Sequence, residues 1–167
     1  ATFAINTYTL TYTAGPGGSI VGSSPQTVAY GGDGALVTAT PDPGYHFVSW
    51  SDAYPTAART DLNVMADVNV TATFAINTYT LTYVAGSGGT IVGTNPQTVA
   101  YGGDGTLVTA TPDPGYHVDS LYVDGTPVTP AAGHLFTNVT GDHAIHVTFA
   151  IDVFTLWASA GPHGSID

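Results

Sequence analysis

Residues 1–46 return almost unchanged as residues 72–117, an offset of 71, with six differences in 46 paired positions. Five of the six exchange small or turn-compatible residues, and the sixth pairs Thr13 with Val84. The pattern restarts at Phe149 (FAIDVFTLWASAGPHGSI), now 75 residues beyond Phe74. A self-similar period of this length marks an array of structural modules, each a supersecondary unit stacked along the chain. The expected division is an end strand of a preceding repeat at 1–6, repeat 1 at 7–77, repeat 2 at 78–150 and the start of a third repeat at 151–167. Starting at Ala1, the chain reads as a processed or excised piece of something longer.

Within each repeat the local pattern is strand after strand. Tyr8, Leu10 and Tyr12 alternate with Thr7, Thr9 and Thr11, the period of two that half-buries a strand. Val68, Val70, Ala72 and Phe74 do the same, as do Ile145, Val147 and Phe149. Between them lie GGSIVG, QTVAY and ALVTAT, bounded by Gly, Pro or Asp-Gly. Asp124-Gly125 predicts a two-residue type I′ hairpin, because both residues accept a positive φ. The best helical candidate, Tyr54 to Arg59, has room for one turn. The expectation is all-β: tandem small β-sandwiches, Ig-like or barrel-like, of about six or seven short strands each. No Gly/Ser or Pro-rich linker separates Phe74 from Tyr79, which predicts stiffly joined repeats.

Charge narrows the function classes. Twelve Asp stand against one cation, Arg59, for a formal charge of −11, and there is no Lys or Glu. A phosphate backbone or an anionic membrane surface is repelled, so neither nucleic acid nor direct membrane insertion is expected. With 10 Tyr, 6 Phe and abundant Val and Thr, the chain carries enough apolar surface to fold despite its few charges. It has no Cys, hence no disulfide framework or thiolate. No apolar run approaches the roughly 18 residues of a membrane span.

The line from YTLTY through GGSIVG, YGGDG and VTATPDPGYHFVSW to VNVTATF resembles a divergent internalin-type B-repeat. Its most specific pieces are Gly-Tyr-x-Phe-x-x-Trp (Gly44 to Trp50) and the closing Ala72-Thr73-Phe74. Repeat 2 departs by placing Leu121 where Trp50 stands and by closing on Val-Thr-Phe. The resemblance implies a bacterial, extracellular or cell-surface location, a role as spacer, adhesin stalk or interaction module, and no enzymatic activity. Some relatives carry a grasp-like fold with a helix, which this sequence does not predict.

Each remaining candidate for chemistry also has a reading in packing or turn geometry. Trp50, in an apolar strand, is expected in the core rather than as a sugar platform; Trp157 reads equally either way. His143 and His146, three apart on a strand, point to opposite faces and do not chelate together. His46 and His117 occupy equivalent positions in different repeats and are expected at the surface. The turns at 31–34, 102–105, 41–44 and 112–115 place Asp among Gly and Pro, which suits turn formation first and calcium binding second. The loops at 15–18 and 86–89 lack the Lys and helix of a phosphate cradle and read as hairpin tips. Asn69-Val70-Thr71 and Asn138-Val139-Thr140 match a glycosylation acceptor pattern. No Gly-x-Ser-x-Gly or comparable motif assembles a nucleophile and base, so no catalytic, metal or cofactor residue is assigned. The expected function is a non-enzymatic structural or adhesive repeat, self-associating through its end strands or contacting neighbouring repeats. The alternative is a module that binds a cell-surface glycan, protein or calcium.

Overall fold

Alternating Thr with Tyr, Leu and Val dictates what the computed structural model shows for the described residues, 1–130, 133–159 and 161–165: strands and turns, with no helix among them. The chain divides into two compact units, Ala1–Tyr79 with Ala100–Gly103, and Thr80–Val99 with Asp104–Asp167.

The first unit contains β1 (Thr7–Ala14), β2 (Gly18–Val21), β3 (Gln26–Ala29), β4 (Val37–Pro41), β5 (Tyr45–Trp50), β6 (Ala58–Arg59) and β7 (Val68–Ile76). They form two sheets, ordered β3-β1-β7-β5 and β2-β4-β6. All pairings are antiparallel except that of β1 with β7, which is parallel from Leu10↔Val68 to Ala14↔Ala72. One core joins the sheets: Leu10 and Tyr12 from β1, Val37 and Ala39 from β4, Trp50 from β5, and Val70, Ala72 and Phe74 from β7. Tyr54 to Arg59 forms no helical turn; β6 occupies its end, because Arg59 pairs with Val37.

The Gly44–Trp50 segment needs a bulge. Phe47 and Trp50 are three apart, which on a regular strand would aim them at opposite faces. The β5–β7 register slips between Phe47 and Ser49, so both rings meet the core, 6.1 Å apart.

The glycine loops are not hairpin tips. β1 pairs with β3 and β7 while β2 pairs with β4, so residues 15–18 carry the chain from one sheet to the other. Gly15 is required by close approach: its N–H donates to Ala72 O at 2.9 Å, and an added Cβ would sit 2.8 Å from that oxygen.

The second unit repeats the plan with β8 (Thr78–Ala85), β9 (Gly89–Val92), β10 (Gln97–Ala100), β11 (Val108–Pro112), β12 (Tyr116–Val123), β13 (Thr126–Val128), β14 (Gly133–His134) and β15 (His143–Ile151). Its sheets are ordered β10-β8-β15-β12-β13 and β14-β11-β9. β8 and β15 are again parallel, from Leu81↔His143 to Ala85↔Val147. The four extra residues of this repeat accompany β13, and the hairpin turns on Asp124 and Gly125 at φ 51° and 77°, as the type I′ reading requires.

Both chain ends differ from expectation. Residues 1–6 are exposed and form no strand. Beyond Ile151 no described residue is in a strand either, and residues 160, 166 and 167 of the predicted third-repeat start lie outside the described set. A strand exists by its ladder. In repeat 1 the closing strand is held between β1 and β5, and among the described residues no such pair flanks 1–6 and no closing strand flanks 153–157.

Candidate functional site

The one cation of the sequence is buried. Arg59 is 3% exposed, and its guanidinium reaches Asp61 at 2.6 Å and, bidentately, Asp52 at 3.0 and 3.1 Å. The rings of Tyr54, Trp50 and Tyr12 lie 4.8, 5.1 and 5.7 Å from its central carbon. Burial alone would lower its pKa; hydrogen bonds to Asp61 and Asp52 outweigh this and raise it. The same bond to Arg59 holds Asp52 below the usual carboxylate range. Tyr12 donates its hydroxyl to Asp61 at 2.7 Å, and burial, then that carboxylate, push its pKa up. The buried guanidinium is held by both carboxylates, Asp61 the more enclosed and Asp52 partly open to water, and the cluster ties β6 to the loop after β5.

Repeat 2 answers the same positions differently. The β4–β6 pair Val37↔Arg59 corresponds to the β11–β14 pair Val108↔His134, so His134 replaces Arg59. Phe136 replaces Asp61, since Gly34 donates to Asp61 O and Gly105 to Phe136 O. Leu121 replaces Trp50, leaving a cavity of about 10 Å³ lined by Leu121, His134, Ile145 and Val147, about the size of one water. Tyr83, the counterpart of Tyr12, has lost its acceptor, and its buried hydroxyl has no partner among the described residues. Phe136 takes His134 edge-on at 4.6 Å and stacks on His143 at 4.7 Å, while His143 Nδ1 meets Asp124 Oδ2 at 2.7 Å. The Ala144 N–H, then His143, hold Asp124 below its ordinary pKa.

Burial lowers the His134 pKa below its ordinary 6.5. Its unfolded form therefore binds a proton that the folded form refuses, and stability rises with pH across that window. The second unit is thus expected to lose stability as pH falls from about 7 toward 5, whereas Arg59 in the first unit keeps its charge. Thermal melts of the chain and of His134→Gln check this: the variant's second unit should lose some of the pH dependence.

The outer face of the five-stranded sheet carries the candidate binding surface. In repeat 1 the equivalent surface is small and polar: Thr13 lies beside Thr71, and the Ser51 hydroxyl accepts the Thr71 N–H. In repeat 2 Val84 lies beside His146, and His146 pairs with Tyr122, their rings 6.0 Å apart. These residues, with Gly125, Ala144 and Thr148, line an open groove of about 450 Å³. Thr148 donates its hydroxyl to Asp119 at 3.1 Å at its margin. An apolar, aromatic floor with a few polar groups is the composition of a small-molecule cleft.

The other sequence candidates fall as follows. Trp50 is in the core at 1% exposure and Trp157 is 93% exposed. His143 and His146 make unrelated contacts, to Asp124 and Tyr122. His46 Nδ1 meets Asn77 Oδ1 and His117 Nδ1 meets Asp152 Oδ1, each at 2.8 Å, so these histidines tie β5 and β12 to the residue that follows the closing strand. Asp33 and Asp104 accept the N–H of Asn63 and Asn138, both at 2.8 Å and both residues with φ of 50°, which binds the glycine turn to a second loop. Among the described residues no three His, Cys, Asp or Glu side chains cluster as metal ligands do. Gln26 and Gln97 were missed by sequence reasoning: each bonds a loop residue across from it through both amide atoms, Ala35 and Thr106 respectively. Only their recurrence in the repeat could have flagged them.

Two-sheet units repeated in tandem, helix-free among the described residues, define an all-β tandem-repeat chain. The chain belongs to the divergent InlB B-repeat domain family, whose model matches residues 8–78 and 79–153. It is also similar to a solved structure of Streptococcal High Identity Repeats in Tandem (SHIRT) domains 3-4 from a cell surface protein, at 18% identity and a TM-score of 0.29, covering 87% of this chain and 98% of that one. A comparison with curated proteins gave no match.

Proposed function

We propose that the chain is a non-enzymatic, extracellular stalk or spacer segment of a surface protein. The observation that carries this reading is the succession of two family repeats with one residue, Asn77, between the last strand of the first and the first strand of the second. A module repeated without a linker serves length or valency. The test varies repeat number: a tag displayed on cells beyond one, two or four repeats should become more accessible to a bulky probe as repeats are added. Accessibility independent of repeat number defeats the spacer reading. Self-association belongs to the same proposal, because Val153, Phe154, Leu156 and Trp157 are 84–94% exposed while Leu81, the counterpart of Leu156, is fully buried. A bare segment with the sequence of an opening strand is a template for pairing with a second copy. Removing residues 153–167 leaves β15 intact and should abolish any head-to-tail assembly.

A second reading, a glycan-binding module, is favoured by the groove. Its Val84, Tyr122 and His146 stand where repeat 1 has Thr13, Ser51 and Thr71. The charge of −11 directs this reading to neutral sugars. A glycan array should give saturable binding that Tyr122→Ala removes; uniform silence leaves the spacer reading alone.

A further inference from the structure

We infer that each repeat is a force-resisting element whose parallel pair of terminal strands meets tension in shear. The inference rests on the stalk reading, since a stalk is pulled along its chain. β1 opens the first repeat and β7 closes it, and the two are hydrogen-bonded neighbours running in the same direction. Tension entering at Thr7 and leaving at Ile76 therefore pulls the two strands from opposite ends of one parallel ladder. All five registered pairs, Leu10↔Val68 to Ala14↔Ala72, are loaded at once. An antiparallel pair pulled from its open ends would instead unzip, its bonds breaking in sequence.

Both ends of the ladder are extended by bonds outside the strand pairing. Beyond Ala14, the Gly15 N–H donates to Ala72 O at 2.9 Å. Before Leu10, the Thr9 N–H donates to the Asp67 carboxylate at 2.7 Å, where β7 has not yet begun. The second repeat reproduces each of these features: β8 and β15 pair in parallel over Leu81↔His143 to Ala85↔Val147, Gly86 donates to Val147 O at 2.8 Å, and Thr80 donates to Asp142 at 2.7 Å. β1 and β8 lie in the shared block, but the strands they pair with differ at every position of the ladder, Val68–Ala72 against His143–Val147, and keep the same parallel register. Each ladder is backed by the core, through Leu10, Tyr12, Val70 and Ala72 in the first unit, which excludes water from its inner side. Replacing a bond by water during rupture is thereby slowed, and forced unfolding is governed by that barrier rather than by equilibrium stability.

The chain has no Cys, so thiol handles can be placed at will on all 167 residues. For shear, the handles are Ile5→Cys with Ile76→Cys in the first unit and Ile76→Cys with Ile151→Cys in the second, all exposed positions. For peeling, Pro16→Cys replaces the Ile5 handle and Ser87→Cys replaces the Ile76 handle in the second unit, so that each parallel pair is pulled from one end. Single-molecule pulling is expected to give rupture forces severalfold higher in shear than in peel, in both units. Asp67→Ala and Asp142→Ala should lower the shear force and leave the peel force unchanged. Equal forces in the two geometries, in either unit, overturn the inference and leave the stalk reading standing. A shear–peel contrast in a chain whose tag accessibility ignores repeat number retains the clamp and removes the stalk.

Discussion

Arg59→Ala is expected to destabilise the first unit by about 3–5 kcal/mol, the usual consequence of removing one partner from a buried ion pair. Asp61, whose side chain is 19% exposed, would be left without its cation, and the Tyr12 hydroxyl would donate to a carboxyl group that has lost its counter-ion. Asp52 is the lesser loss, because its side chain is 42% exposed and water can take over. Three aromatic rings also lose the planar group packed on them. For a domain of this size the melting temperature of the first unit should drop by roughly 12–40 °C. Arg59→Lys should fall between, since an ammonium keeps the charge but loses the bidentate geometry. Trp50 fluorescence reads the transition directly, as Trp157 is already exposed. A melting temperature within a few degrees of the parent would show that the cluster contributes little.

Trp50→Ala is the second large effect, at about 3–5 kcal/mol from lost burial and the cavity left behind. Trp50 is 1% exposed, contacts Tyr12 edge-on at 5.9 Å and Phe47 at 6.1 Å, and donates its indole N–H to Thr56 O at 3.0 Å. It also covers Arg59, so the two substitutions should not add. A double-mutant cycle monitored by circular dichroism should give a coupling of roughly 0.5–3 kcal/mol. Additivity would place Trp50 in ordinary packing, separate from the ionic cluster. Trp50→Leu, the solution that repeat 2 uses at Leu121, should be milder.

Period and punctuation made the strands legible. Thr alternating with Tyr and Leu located β1 and β8, and Asp124-Gly125 located the β12–β13 hairpin. What period alone cannot show is partnership. Nothing local to Thr7–Ala14 says that it pairs in parallel with a strand more than fifty residues on, so residues 15–18 read as a hairpin tip when they in fact cross between sheets. The bulge at Val48 is equally silent in a period-of-two reading, which is why Phe47 and Trp50 share a side against the simple alternation. Of the candidate site, Val84 was visible as the exception among six near-neutral differences, but Tyr122 and His146 acquire meaning only when β12 and β15 bring them beside it. His134 is silent in the sequence because its role depends on occupying the place of Arg59, an equivalence that a four-residue insertion hides from a fixed offset.

The confinement of the single Arg to the interior has a consequence for proteolysis. Proteases that cut after Arg or Lys have one peptide bond to attack in these 167 residues, and its Arg59 side chain is sealed beneath three aromatic rings. The native segment offers such an enzyme no side chain to seize. Cleavage must wait for the first unit to open, and then yields two pieces and no more. Digestion by a trypsin-like protease thus acts as a counter of opening events in one repeat, while the other repeat passes through untouched.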